Sequence, residues 1–185
     1  MRKTRIVFVG CAASGKDYAR KICQEVMGMP YQVSYTTRPP REGEEHGKDY
    51  FFVTDEEFLE RDDADQWYEF VVFNGWYYGT TKEQFHTQGA VFIMTPSGLA
   101  HLSEEARAET LVVYFDIPED IRRVRMQERR GDADSIERRL AADRVDFENF
   151  TNYDVKVSDP NYGIGDIVEI VRVHMATNLV QIVQN

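Results

Sequence analysis

Short runs of consecutive apolar residues punctuate this chain, and between them apolar positions recur at helical spacing. Arg5 to Val9 reads as a buried strand and Lys16 to Met27 as a helix. Gln32 to Tyr35 is a short strand. Residues 36–48 are charged and carry Pro39, Pro40, Gly43 and Gly47, so they form a loop. Asp49 to Val53 is a strand, and Thr54 with Glu57 makes a capping box for a helix through about Leu59. Tyr68 to Phe73 and Trp76 to Tyr78 form a hairpin around Asn74-Gly75, and a helix follows near Thr81 to Thr87. Ala90 to Met94 is a continuous apolar strand, Ser97 to Ala106 a helix, and Leu111 to Phe115 another apolar strand. Pro118 starts a helix toward Arg129, which Gly131-Asp132-Ala133-Asp134 breaks. Ser135 caps the next helix, to about Phe147. Asp154 to Val157 is a last strand, and a helix spans roughly Asp166 to Asn178.

Buried strands alternating with helices imply an α/β fold with a parallel sheet covered on both faces. The aromatic, hairpin-rich stretch differs and predicts an inserted, antiparallel lobe. The expected division is one domain over 1–185: a core of residues 1–33 and 89–185, a lobe of 34–88, and a short lid at about 125–139.

The turn after the first strand carries the chemistry. Gly10-Cys11-Ala12-Ala13-Ser14-Gly15-Lys16-Asp17 is G-x-x-x-x-G-K between a strand and a helix, the phosphate-binding loop of nucleotide-binding enzymes. Gly10 and Gly15 let the backbone curl so that several N–H groups meet one anion. The helix adds its positive end, and Lys16 reaches the outer phosphates. The expected ATP contacts are Gly10, Ala12, Ala13, Ser14, Gly15, Lys16, Asp17 and Tyr18. Asp17 stands where Ser or Thr usually holds magnesium. A carboxylate is also a hard-oxygen ligand, and otherwise it complements the helix N-terminus. The metal role is the stronger, because an uncompensated carboxylate beside a triphosphate would repel it.

Composition narrows the partners. A net charge of −10 argues against wide contact with nucleic acid or an anionic membrane. Positive charge is instead concentrated: eight of sixteen arginines lie between Arg122 and Arg144. Arg122 and Arg123 read as a solvated helix face, the later ones as approaching the lid. Two cysteines, Cys11 and Cys23, imply no disulfide framework and suit a reducing cytoplasm. Cys11 could be redox-sensitive but reads better as an incidental small residue. The four histidines lack metal-ligand spacing. The apolar run after Arg2-Lys3-Thr4-Arg5 is too short for a signal peptide, and no stretch approaches a membrane span.

A second constellation lies in the lobe. Ser34-Tyr35-Thr36-Thr37-Arg38-Pro39-Pro40-Arg41-Glu42-Gly43-Glu44 precedes Tyr50, Glu69 and Gly75-Trp76-Tyr77-Tyr78-Gly79-Thr80. Two arginines and two tyrosines suit a clamp on a second phosphate group, arginine offering a rigid donor fork. Tyr77 falls on the opposite face by alternation and reads as packing. Trp67, Phe70, Phe73 and Trp76 read as the lobe's own core.

On these motifs nearly the whole chain resembles the guanylate kinase family. The resemblance implies a P-loop three-layer sandwich with an inserted nucleotide-binding lobe and a lid. It implies a nucleoside monophosphate kinase moving the γ-phosphoryl group of ATP, with Mg2+, to GMP or dGMP, as a monomer or homodimer. By it, Arg38, Arg41, Tyr50 and Tyr78 bind the acceptor phosphate, and Ser34, Glu69 and Thr80 line the guanosine pocket. Lys16, Arg130 and Arg139 neutralise the transferred group, with an earlier lid arginine at Arg125 or Arg129. The chain departs from the family at Asp17, in its shortened lid, and at Ile93-Met94-Thr95-Pro96-Ser97-Gly98, where the family carries carboxylates. Two other readings stay open: a ribose 1,5-bisphosphate-type phosphokinase, which shares G-K-D, and a catalytically silent guanylate-kinase-like interaction module.

Overall fold

The computed structural model describes residues 3–73, 75–128 and 135–175, and its contacts divide the chain into two compact units. One unit comprises residues 1–31 and 88–185, the other Gln32–Thr87.

The first unit opens with strand β1 (Arg5–Gly10), buried along its whole length, and helix α1 (Lys16–Glu25). The second unit then holds strands β2 (Tyr35–Thr36) and β3 (Phe51–Phe52), helix α2 (Asp55–Asp63), strands β4 (Trp67–Phe73) and β5 (Trp76–Thr81), and helix α3 (Lys82–Phe85). The chain returns to the first unit with strand β6 (Val91–Ile93), short helices α4 (Pro96–Ala100) and α5 (Glu104–Ala108), and strand β7 (Thr110–Phe115). Helices α6 (Glu119–Glu128) and α7 (Ile136–Asp146), strand β8 (Val155–Val157) and helix α8 (Ile164–His174) complete it.

In the first unit the sheet order is β6-β1-β7-β8, and every pairing is parallel. Alternation along β1 sends Ile6 and Phe8 into a cluster with Ala19, Ile22 and Cys23 of α1 and Ile167 and Val171 of α8. Val7 and Val9, on the other face, are equally buried, as a sheet covered on both sides requires. The expected helix over Ser97–Ala106 is two helices. Thr95 caps the first and Ser103 the second, each hydroxyl accepting a backbone N–H three residues on.

The second unit is a four-stranded sheet of order β3-β2-β5-β4. The hairpin β4–β5 and the pair β2–β5 are antiparallel, while β2 and β3 run parallel, so the sheet is mixed. The capping box at Thr54 is formed in full, with Glu57 Oε2 accepting the Thr54 N–H at 2.8 Å. Phe58, fully buried, stacks on Trp67 with ring centroids 4.2 Å apart and on Tyr77 at 5.0 Å. These aromatics are the unit's own core, and Tyr77 packs as alternation along β5 requires. Among the described residues, no helix is long and apolar enough to cross a membrane.

Candidate active site

The turn from β1 into α1 has the geometry of an anion cradle. Gly15 caps α1 in a left-handed conformation, φ 99°, and no side chain caps the helix. A Cβ on Gly10 would lie 2.8 Å from both the Phe115 carbonyl and Ser14 Oγ, so the backbone approaches too closely for any other residue. Ala13 holds a positive φ of 59°. Lys16 Nζ arches back over the loop and donates to the Gly10 carbonyl at 2.6 Å and the Cys11 carbonyl at 2.8 Å. Ser14 Oγ is buried without a hydrogen-bond partner, a polar atom that a bound phosphate oxygen would satisfy. Tyr162 Oη donates to the Gly15 carbonyl at 2.7 Å, and the half-exposed Tyr18 ring lies 5.9 Å from the Tyr162 ring. Burial, then the charge of Asp143, push the Cys11 thiol up to about 11, so it is unreactive near neutral pH.

One arginine after residue 120 is placed differently from the sequence expectation. Arg122 is not on a solvated face: it is 5% exposed and paired with the buried Asp143 at 2.6 Å. Its partner lies on another helix, 21 residues on, which no local pattern reveals. Asp143 also accepts the Ala12 N–H, which removes that amide from those open to a phosphate. Arg125 donates to the Ala13 and Pro160 carbonyls. Arg123 is partly exposed and paired with Glu137 and Glu119, as expected of a helix surface. Arg139 is largely buried on α7. Arg129 and Arg130 lie outside the described residues.

In the second unit the predicted clamp residues come together. Arg38, 5% exposed, donates from Nη2 to Glu44 Oε1 at 2.9 Å and from Nη1 to the Pro39 carbonyl at 2.8 Å. Its guanidinium lies 5.4 Å from the centre of the Tyr50 ring, and the Tyr50 and Tyr78 rings are 6.0 Å apart. Arg41 is held by the same glutamate, which accepts its backbone N–H at 2.7 Å. Burial pushes the Glu44 carboxyl up, but the Arg38 and Arg41 bonds and both positive charges outweigh it, and the carboxyl sits below its ordinary range. Glu44 was legible only as a motif letter; its work, orienting the Arg38 guanidinium and holding the backbone at Arg41, was not. Glu69 on β4 and Thr80 on β5 face each other, 7% and 2% exposed. Ser34 begins the same region, its carbonyl accepting the Phe51 N–H at 2.9 Å.

Two departures from the family pattern find a local account. Thr95 is committed to starting α4: its hydroxyl accepts the Gly98 N–H at 3.1 Å. Asp17, on the first turn of α1, keeps its side chain 67% exposed, with Arg20 Nε 4.0 Å away. Among the described residues, no group of three or more His, Cys, Asp or Glu could hold a metal alone. A single exposed carboxylate beside a phosphate loop fits magnesium, which is commonly held by one or two carboxylates and substrate phosphates.

A parallel sheet whose first strand ends in a glycine-bounded anion loop defines a phosphate-loop nucleotide-binding domain. The sequence model described as guanylate kinase matches residues 2–176. Guanylate kinase of Geobacter sulfurreducens is 33% identical over 83% of this chain and 80% of its own. That of Onion yellows phytoplasma is 34% identical over 92% of this chain and 86% of its own. The crystal structure of guanylate kinase from Anaplasma phagocytophilum superimposes with a TM-score of 0.72 over 97% of this chain and 89% of that one. At 20% identity that likeness speaks for the fold alone. The chain belongs to the guanylate kinase family of ATP-dependent phosphotransferases.

Proposed function

We propose that this protein transfers the γ-phosphoryl group of ATP to GMP or dGMP. One observation carries the reading beyond family membership. A single unit holds a phosphate clamp, Arg38 and Arg41 on Glu44 beside Tyr50 and Tyr78, together with a buried carboxylate, Glu69, opposite Thr80. The clamp suits the acceptor's phosphate. The carboxylate suits guanine, which presents a ring N–H and an exocyclic amine side by side.

In this reading Gly10, Ala13, Ser14, Gly15 and Lys16 cradle the donor phosphates, and Tyr18 lies beside them. Ala12 shapes the loop. Asp17 would hold a magnesium ion, which would neutralise phosphate charge. An oxygen of the acceptor phosphate attacks the γ-phosphorus in line, the bond to the bridging oxygen breaks, and ADP leaves. No side-chain nucleophile is required, so positioning and charge neutralisation are the protein's tasks. Lys16 and Arg139, with Arg130, would supply the neutralisation. Ser34 and Thr80 would complete the guanosine pocket. Both cysteines are free thiols, which suits work in the cytoplasm.

The test is ATP turnover with GMP, dGMP, AMP and ribose 1,5-bisphosphate as acceptors. Preferred phosphorylation of GMP or dGMP is expected. Preference for the sugar phosphate would move the assignment to the related phosphokinases, which share Asp17 after Lys16. Absence of transfer to any acceptor would favour an interaction module.

A further inference from the structure

The phosphate loop is gripped from outside at two consecutive residues, Ala12 and Ala13. Asp143 of α7 accepts the Ala12 N–H, at 3.0 Å to Oδ2 and 3.2 Å to Oδ1. Arg122 of α6 donates from Nη1 to the Ala12 carbonyl at 3.3 Å and to Asp143 Oδ2 at 2.6 Å. Arg122 Nε is anchored on the Ile117 carbonyl at 3.1 Å. One turn along α6, Arg125 Nη1 donates to the next loop carbonyl, Ala13, at 3.2 Å. Beneath these bonds Ala13 packs with Met126 of α6 and Leu140 of α7.

Stability alone is a weak reason for such a pair. Two buried charges lose their hydration, and hydrophobic residues of similar volume often stabilise a protein as well or better. What the pair does supply is direction. Ala13 holds a left-handed backbone conformation that a non-glycine residue adopts at a cost and keeps only where its surroundings over-determine it. The bonds to Ala12 on one side and to the Ala13 carbonyl on the other are those surroundings. The pair also lets a carboxylate sit against an anion-binding loop, because Arg122 neutralises it in place.

We propose that Arg122 and Asp143 are positioning residues for the donor site. They clamp the two peptide groups that flank Ala12, and with Arg125 they hold the loop in the curl that aims its remaining N–H groups at the phosphates of ATP. The inference rests on the reading of this loop as the ATP site, and not on the identity of the acceptor. It ties donor affinity to α6 and α7, neither of which supplies the loop.

The experiment compares the wild type with Arg122→Met/Asp143→Leu, which removes both charges together and roughly keeps the volume, and with Asp143→Asn, which retains an acceptor for the Ala12 N–H. Calorimetric binding of magnesium ATP without acceptor is measured beside the melting temperature and steady-state KM values. The double variant should melt close to the wild type and bind ATP at least about tenfold more weakly, with a raised KM for ATP. Its KM for GMP should stay within about twofold, a split that a merely structural role would not produce. Asp143→Asn should fall between the two. A folded double variant with wild-type ATP affinity overturns the proposal. If the double variant does not fold, wild-type ATP affinity in Asp143→Asn overturns it, and weakened affinity at an unchanged melting temperature supports it. A wild type that binds ATP but ignores GMP overturns the acceptor assignment instead, and leaves this comparison intact.

Discussion

Arg38 and Glu44 are joined by a 2.9 Å hydrogen bond, and the second oxygen of the same carboxylate accepts the Arg41 N–H at 2.7 Å. One part-buried glutamate therefore aims the guanidinium of Arg38 and ties down the backbone at Arg41. A donor fork held in place before binding loses less entropy when it meets a phosphate.

Glu44→Gln should raise the KM for the acceptor and leave that for ATP unchanged. Its effect on stability should depend on pH with a definite sign. The Glu44 carboxyl is held below the ordinary value of 4.5, so its contribution to stability is full above that value. It is lost as pH falls through the lowered value and the carboxylate takes a proton. Melting temperatures of wild type and variant, followed from pH 7 downward, should converge in acid. A gap independent of pH would show that the charge of Glu44 is not what matters.

Lys16 lies over the loop on two carbonyl oxygens and is not part of the core clusters formed around β1 and around Ala13. Lys16→Ala should leave a folded protein whose kcat falls by a factor of about 10²–10³, the usual loss when one preorganised charge is removed from a transition state. Circular dichroism checks the fold and a coupled assay the rate. Near-wild-type turnover would detach the loop from the chemistry.

Asp17 separates two roles by magnesium titration. If it supports the ion, Asp17→Ala should need more magnesium for half-maximal activity, and Asp17→Ser should be tolerated better. If it serves only the end of α1, both changes should cost about 0.3–1 kcal/mol of stability and leave the magnesium dependence unaltered.

Where chemistry was local, it was readable in the chain. The phosphate loop, the capping box at Thr54 and the continuous apolar strands each depend on neighbours within a few residues. The register of the lobe hairpin was also accessible. A two-residue connection pairs Phe73 with Trp76, and counting back along β4 and β5 brings Glu69 opposite Thr80. Arg122 was not legible in this way. In an arginine-rich helix nothing in its sequence neighbourhood marks it off from Arg123, and only the distant Asp143 shows that it is out of water. Ser103 shows a smaller version of the same limit. Helical spacing ran across Ser97–Ala106, but a cap within the run divides it into two helices.

Base choice is the most direct test of the proposed function. Glu69 is nearly fully buried, and under the proposed function its carboxylate would accept both donors of guanine. Adenine would present a ring acceptor to it, setting acceptor against acceptor in a buried site, which is costly. The direct measurement is kcat/KM for GMP against AMP, in the wild type and in Glu69→Gln. The wild type should favour GMP by a factor of about 10⁴ or more, and the variant should lose most of that ratio while binding ATP as before. A wild type indifferent to the base, or a variant that keeps full guanine preference, would contradict the assignment of Glu69 and of the acceptor it selects.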